Sequence, residues 1–134
     1  MKKSVKIILR SIQIEKGIGS EFSFLLGGGT PFKVNFSRKK LRQVDKVVYA
    51  QNPEDTLELS RVTLRLDIVE RDPKFNDTGQ HRMSFNIDYD KPTTELIVRR
   101  KLKAKGGDAP REIEIVYRFE VLIEAAKAQA AGNR

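Results

Sequence analysis

Residues 62–87, VTLRLDIVERDPKFNDTGQHRMSFNI, contain the pattern that decides the fold. Alternate residues from Val62 to Ile68 are apolar and those between them are polar, which is typical of a strand with one buried face. Pro73 ends this strand because it cannot donate a backbone hydrogen bond to a ladder. A polar turn is predicted at residues 76–79, and alternation resumes at Met83. The stretch therefore predicts a strand, an acidic loop and a second strand.

Alternation elsewhere predicts about eight short strands separated by Gly-, Pro- and Asn-containing turns. No segment has a convincing amphipathic-helix pattern. The sequence therefore predicts an all-β protein, an antiparallel β-sandwich in which two sheets pack through apolar faces. Residues 21–36 and residues 94–123 are each expected to form a hairpin. The predicted strands are residues 5–14, 22–26, 32–36, 44–50, 62–68, 83–87, 94–103 and 112–123.

Two segments depart from simple alternation. The apolar residues of 5–14 do not keep one parity, which predicts either a bulge or burial on both faces of the strand. Residues 51–55 contain Pro53, a residue that breaks strands, and are interpreted as a loop.

The order of residue types in residues 62–87 resembles that around the third loop of C2 domains, a family of β-sandwiches. In both, an alternating strand is followed by two acids separated by one residue, then by a third acid and a glycine. The matching residues are Glu70, Asp72 and Asp77, with Gly79 at the family's glycine. The segment Gly19–Phe22, GSEF, matches a family motif that follows its first loop. The resemblance implies a C2-like or related Greek-key topology.

The resemblance also implies a calcium site, since the corresponding loop of calcium-binding C2 domains supplies carboxylates to the metal. Its candidate ligands here are Glu70, Asp72 and Asp77, with Glu15 and Glu21 as further candidates. Glu replaces Asp at the first position, and the interval from Asp72 to Asp77 is one residue short. Calcium takes six to eight oxygen ligands, so weak binding is expected, and an ordinary solvated loop is the alternative. No other cofactor is expected.

The length of 134 residues fits a single domain. We expect residues 1–123 to form it, and the Ala-rich tail at residues 124–134 to be helical or ordered only by a partner. The absence of cysteine excludes disulfides and thiolate zinc sites. No apolar run approaches the length of a membrane span, and Arg10 interrupts the first apolar run well short of a signal-peptide core. A cytoplasmic location is therefore expected.

The sequence offers little for catalysis. Its single histidine, His81, lies between Gln80 and Arg82, and we expect it to be a solvated surface residue. No nucleophile elbow, paired-histidine motif or nucleotide fingerprint is present. The chain is therefore predicted not to be an enzyme.

The basic residues are a better functional clue, because the net charge is +8 and favours acidic partners. Residues two apart on a strand point the same way, so the predicted strand at 94–103 should carry a cationic ladder of Arg99, Lys101, Lys103 and Lys105. We expect this ladder to face an anionic partner. A solvated face, or an edge strand protected by its charges, is the alternative. The three basic groups are Lys2, Lys3 and Lys6; Arg38, Lys39, Lys40 and Arg42; and Arg99, Arg100, Lys101, Lys103 and Lys105.

Three functions fit this sequence. The first is a C2-like binding module that engages an anionic lipid surface or an acidic protein face through its basic strand and loop clusters. The second is a structural subunit of a homo-oligomer or larger assembly, such as a virion, a phage tail or a secretion apparatus. The third is nucleic-acid binding, which ranks last because no aromatic residues alternate with the ladder to stack on bases.

Overall fold

The computed structural model describes residues 2–16, 21–26, 31–36, 40–55, 60–71, 77–104 and 111–125. They form eight strands in two four-stranded sheets. Sheet A has the order β4-β1-β8-β7 and sheet B the order β3-β2-β5-β6, and every neighbouring pair is antiparallel. The predicted all-β class, the two antiparallel sheets and both predicted hairpins are confirmed. The strands are β1 (Lys2–Lys16), β2 (Glu21–Leu26), β3 (Phe32–Asn35), β4 (Leu41–Asp55), β5 (Ser60–Arg71), β6 (Asp77–Ile87), β7 (Thr93–Ala104) and β8 (Arg111–Ala125).

The core lies between the sheets and is built from the alternating apolar residues. On β5 the inward residues from Val62 to Ile68 are all buried, and on β8 the inward residues from Ile113 to Ile123 are buried too. Aromatic rings join the two layers: the ring centroids of Phe85 on β6 and Phe119 on β8 are 5.0 Å apart. Burying an aromatic side chain contributes a large share of core energy, so this contact fixes the face that each sheet turns inward.

The irregular parity of the first strand has the predicted cause. Between Leu9 and Ser11 the register of β1 shifts against both of its neighbours, β4 and β8. Leu9 and Ile12 therefore both point into the core, although they are an odd number of residues apart. Ile8 is also buried, on the opposite face, so burial on both faces accompanies the bulge.

Three predicted boundaries are wrong. β8 continues to Ala125, so residues 124 and 125 of the predicted tail belong to a strand, and residues 126–134 lie outside the described residues. β4 continues through residues 51–55, where a loop is predicted, and so includes Pro53. β4 is the edge strand of sheet A, and its register with β1 shifts between Lys3 and Val5, opposite Pro53. A proline is tolerated at an edge or a bulge because its missing N–H is not required there. β6 begins at Asp77, so the predicted turn at 76–79 is largely strand.

Gly79, which the sequence predicts to be part of the turn, is part of β6. It lies on the inward face of β6, and a Cβ at this position would overlap the side-chain methyl of Leu102 on β7. Glycine within a strand often marks such a close approach. The absence of a side chain at Gly79 therefore lets the edge strands of the two sheets come together.

His81 lies two residues further along the same inward face, and the expectation that it is solvated is wrong: it is 4% exposed. Its Nε2 lies 3.0 Å from the carbonyl oxygen of Lys101, and its Nδ1 lies 2.7 Å from the hydroxyl of Tyr117. Because a carbonyl oxygen can only accept, Nε2 carries the proton and donates it, and Nδ1 accepts from the Tyr117 hydroxyl. The ring thus links β6 of sheet B to β7 and β8 of sheet A.

The surroundings of His81 favour its neutral form. Burial lowers its pKa below 6.5, and the nearby positive charge of Arg100 lowers it further, against the opposing effect of the hydrogen bond to Lys101. Burial also raises the pKa of Tyr117, so its hydroxyl stays protonated and available to donate.

We predict that Gly79→Ala lowers the free energy of unfolding by about 1–3 kcal/mol, the usual effect of overpacking. Leu102→Ala alone should cost about 2–5 kcal/mol because it removes a buried side chain. The double variant should lose less than the sum, since each change relieves the other. Urea denaturation of the wild type and the three variants measures this, with Thr78→Ala, at an exposed neighbouring position, as the control. Strictly additive losses would contradict the contact.

We also predict that stability falls with acid in a way that depends on His81. In the unfolded chain His81 is protonated near pH 6.5, and in the folded chain it is protonated only at lower pH. The contribution of His81 is therefore complete above pH 6.5 and declines below it, by at most about 1.4 kcal/mol per pH unit. Urea denaturation at pH 7 and about pH 5.5 measures the free energy of unfolding. The difference in this free energy between the two pH values should be smaller for His81→Gln than for the wild type. Equal differences would show that this proton is not taken up on unfolding.

Candidate functional site

The predicted cationic ladder lies on the outer face of sheet A, but acids of the same chain face it. The Arg99 guanidinium contacts the carboxylate of Glu15 on β1 and lies 3.8 Å from that of Glu114 on β8. Lys101 Nζ lies 3.3 Å from the carboxylate of Glu112. The Lys103 side chain and Lys105 lie outside the described residues. The described part of the ladder is therefore compensated within the protein.

The same arrangement extends across the rest of this face. Arg10, at the bulge of β1, contacts Glu120 on β8 and lies 3.2 Å from Asp45 on β4. These carboxylates hold the pKa of Arg10 above its ordinary value. Arg118 lies 3.8 Å from Glu95 on β7. Exposed ion pairs contribute only about 0–1 kcal/mol each, so their main consequence is that Arg10, Arg99, Lys101 and Arg118 each have an acid beside them on this surface, called here the paired face.

The outer face of sheet B carries a different distribution of charge. Arg61 and Arg65 on β5 and Arg82 on β6 are exposed there and form what we call the arginine face. Arg65 and Arg82 are direct partners in the β5–β6 ladder, so two guanidinium groups extend from adjacent backbone positions. Asp67 is the acid next to them among the described residues of β5 and β6, and its carboxylate lies 3.7 Å from Arg65.

Small polar side chains separate the arginines. The hydroxyls of Thr63 and Ser84 lie 3.0 Å apart in the neighbouring cross-strand pair. Gln80 donates to Asp67 at 2.9 Å and accepts from Arg82 at 3.3 Å. The arginine face therefore combines fixed positive charge with hydrogen-bonding groups held in register by the ladder.

Arg100 adds a fourth guanidinium at the border of this face. It extends from β7 and donates to the carbonyl oxygens of Arg82, at 3.2 Å, and of Arg99, at 2.8 Å. Together with the His81 contact to Lys101, this bond joins the edges of the two sheets along β6 and β7.

The second predicted basic cluster borders a groove on the opposite side of the sandwich, where β3 and β4 face each other. Arg42 Nε donates to the carbonyl oxygen of Asn35 at 2.7 Å, and Lys46 Nζ lies 5.2 Å from the centroid of the Phe32 ring. Lys40 is exposed beside the start of β4. Arg38 and Lys39 lie outside the described residues. The groove is lined by residues 32–35 of β3 and residues 42–47 of β4.

The predicted calcium ligands are only partly described. The backbones of Glu70 and Asp77 are partners at one end of the β5–β6 ladder, and Glu21 pairs with Arg71 at the same end of sheet B. Asp72 and the side chains of Glu70 and Asp77 lie outside the described residues. Glu15 contacts Arg99 on the paired face. Within the described residues, no group of three or more His, Asp or Glu side chains could hold a metal ion.

Within the described residues, no helix is long and apolar enough to cross a membrane. The resemblance to C2 domains stays a prediction. The sequence matches no protein-family model and no curated protein.

Proposed function

We propose that the protein is a non-catalytic binding module whose arginine face engages an acidic surface of a partner protein. The observation that supports this is the direct pairing of Arg65 with Arg82 across β5 and β6. Like charges directly opposite each other in an antiparallel ladder are destabilising. Residues that act against stability in this way are expected at functional sites.

The chemistry of the arginine face favours carboxylates. A guanidinium is a planar group of fixed donors that matches a carboxylate with two parallel hydrogen bonds. The hydroxyls of Thr63 and Ser84 lie between the arginines and add donors and acceptors at defined positions. A folded protein surface carries acids and polar groups in such fixed arrangements, so it can engage the charges and the polar row together.

Two other anionic partners are less well supported. Large exposed apolar residues would help a basic surface to enter a bilayer, but those of the described chain, Leu41, Val47 and Ile97, lie on β4 and β7 of the other sheet. Bases of single-stranded nucleic acid stack on aromatic side chains, and none lies on the described arginine face. An acidic protein surface is therefore the partner that this face fits best.

We predict that Arg82→Glu weakens binding to poly-L-glutamate, used as a probe for acidic protein surfaces, by about tenfold or more, because a charge-assisted hydrogen bond contributes about 1.5–3 kcal/mol. The same change should raise the stability by about 0.2–1 kcal/mol, because the introduced carboxylate would face Arg65. Fluorescence anisotropy at low and high salt and urea denaturation measure the two effects.

Arg99→Glu on the paired face is the matched control, since it changes the same residue type and the net charge by the same amount. It should retain most of the binding and lose stability, because it removes the contacts to Glu15 and Glu114. Equal loss of binding by the two variants would show that net charge alone attracts the probe. Stronger binding to phosphatidylserine vesicles or to a DNA oligonucleotide, abolished by Arg82→Glu, would assign the face to lipid or nucleic acid instead.

A further inference from the structure

We propose that the groove between β3 and β4 binds an extended, acidic segment of a partner protein, which adds as a further strand to the edge of sheet A. This site is separate from the arginine face. It lies on the opposite side of the sandwich from β6 and β7, where the two sheets are joined.

The backbone of the groove is suited to strand addition. β4 pairs with β1 and β3 pairs with β2, each on one side only, and no ladder joins β3 to β4 in the described chain. Edge strands present backbone N–H and C=O groups that another chain can pair with. The groove has a volume of about 780 Å³, which is within the range of about 300–1,000 Å³ for ligand clefts.

Side chains, rather than backbone bonds, connect the two edges. Arg42 donates to the Asn35 carbonyl oxygen near one end of β3, and Lys46 lies over the ring of Phe32 at the other. The bond to Asn35 uses the Nε of Arg42, and a guanidinium has four further N–H donors. Both cations can therefore contact a chain lying in the groove without separating the two strands.

The charges in the groove select an acidic segment. Lys33, Arg42 and Lys46 line it, and the acid among its lining residues is Asp45. The Asp45 carboxylate already accepts from Arg10 and from Gln43. Asp45 also has a positive φ of 49° and lies where the register of β4 against β1 shifts, so it marks a bulge within β4.

The remaining lining includes Phe32, Val34, Val44 and Val47, with Val47 48% exposed. A strand presents alternate side chains to opposite faces. A segment that alternates acidic and apolar residues would therefore place its carboxylates against the cations and its apolar side chains against this lining.

A second copy of the chain fits the groove less well. Two β4 edges paired about a two-fold axis would bring Arg42 and Lys46 of each copy close to the same residues of the other. Like charges across a strand pair are destabilising. An acidic segment neutralises these cations, whereas a second β4 adds to them.

The experiment uses a fluorescein-labelled peptide of alternating glutamate and valine with the full-length protein. The peptide should bind the wild type, and Arg42→Glu combined with Lys46→Glu should weaken binding by about tenfold or more. Arg99→Glu combined with Lys101→Glu, which changes the net charge equally, should retain binding. Binding in the groove is distinguished from binding at the arginine face by the amides that the peptide protects from hydrogen exchange, those of residues 41–47 or those of β5 and β6. Lys33→Glu keeps the contact from Arg42 to Asn35 and provides a second test if the double variant is unstable.

Two further measurements test whether the peptide pairs with the backbone of β4. The same peptide with alternate backbone nitrogens methylated should not bind, and the unmodified peptide should slow hydrogen exchange of amides in residues 41–47. Equal binding of the methylated peptide, or protection confined to β5 and β6, would overturn the proposal. Light scattering that shows dimers with protected β4 amides in the absence of peptide would also overturn it, because a second copy would then occupy the edge.

Discussion

The packing of two alternating faces against each other is the interaction on which the rest of the structure depends. Each sheet contributes one inward row of apolar side chains, and rings such as Phe85 and Phe119 interlock between them. Once that face is fixed, the period of two sends every intervening residue outward. The positions of Arg65, Arg82, Arg99 and Lys101 follow from this constraint, because a shift of one residue would bury these charges. Core packing thereby determines which charges the surface displays.

The part of the fold that alternation encodes could be predicted from the sequence. Residues 112–123 and 62–68 have one apolar parity and are strands of the sandwich, and the disturbed parity of residues 5–14 indicates the bulge at Arg10. Pro53 is misleading because its effect depends on whether the strand lies at an edge, which is a property of the sheet. His81 could have been assigned correctly, since Gly79, His81 and Met83 continue the inward parity of β6. Its polar neighbours point outward for the same reason.

The surface sites depend on contacts between distant residues, which local pattern does not contain. The ladder residue Arg99 is predicted from the sequence as exposed positive charge, but its contact Glu15 is 84 residues away in the chain. The pairing of Arg65 with Arg82 likewise requires the register of β5 against β6. Composition alone gives a net charge of +8. Among the described residues, Arg10, Arg99, Lys101 and Arg118 lie beside acids on the paired face, whereas Arg65 and Arg82 are directly opposite each other on the arginine face. A basic cluster in a β protein is therefore informative only after its cross-strand neighbours are known.

The pairing of β1 with β8 has a consequence for how the protein folds. β1 lies in the middle of sheet A, between β4 and β8, and its Lys3 is opposite Ala125. Sheet B is built from strands that are closer in sequence, but sheet A is incomplete until β8 has been synthesised. Non-local pairing of this kind slows folding and leaves hydrophobic strands exposed for longer. The charges of Lys3, Lys6 and Arg10 interrupt the apolar residues of β1, and such gatekeeper residues oppose aggregation of a nascent strand while it waits for its partner.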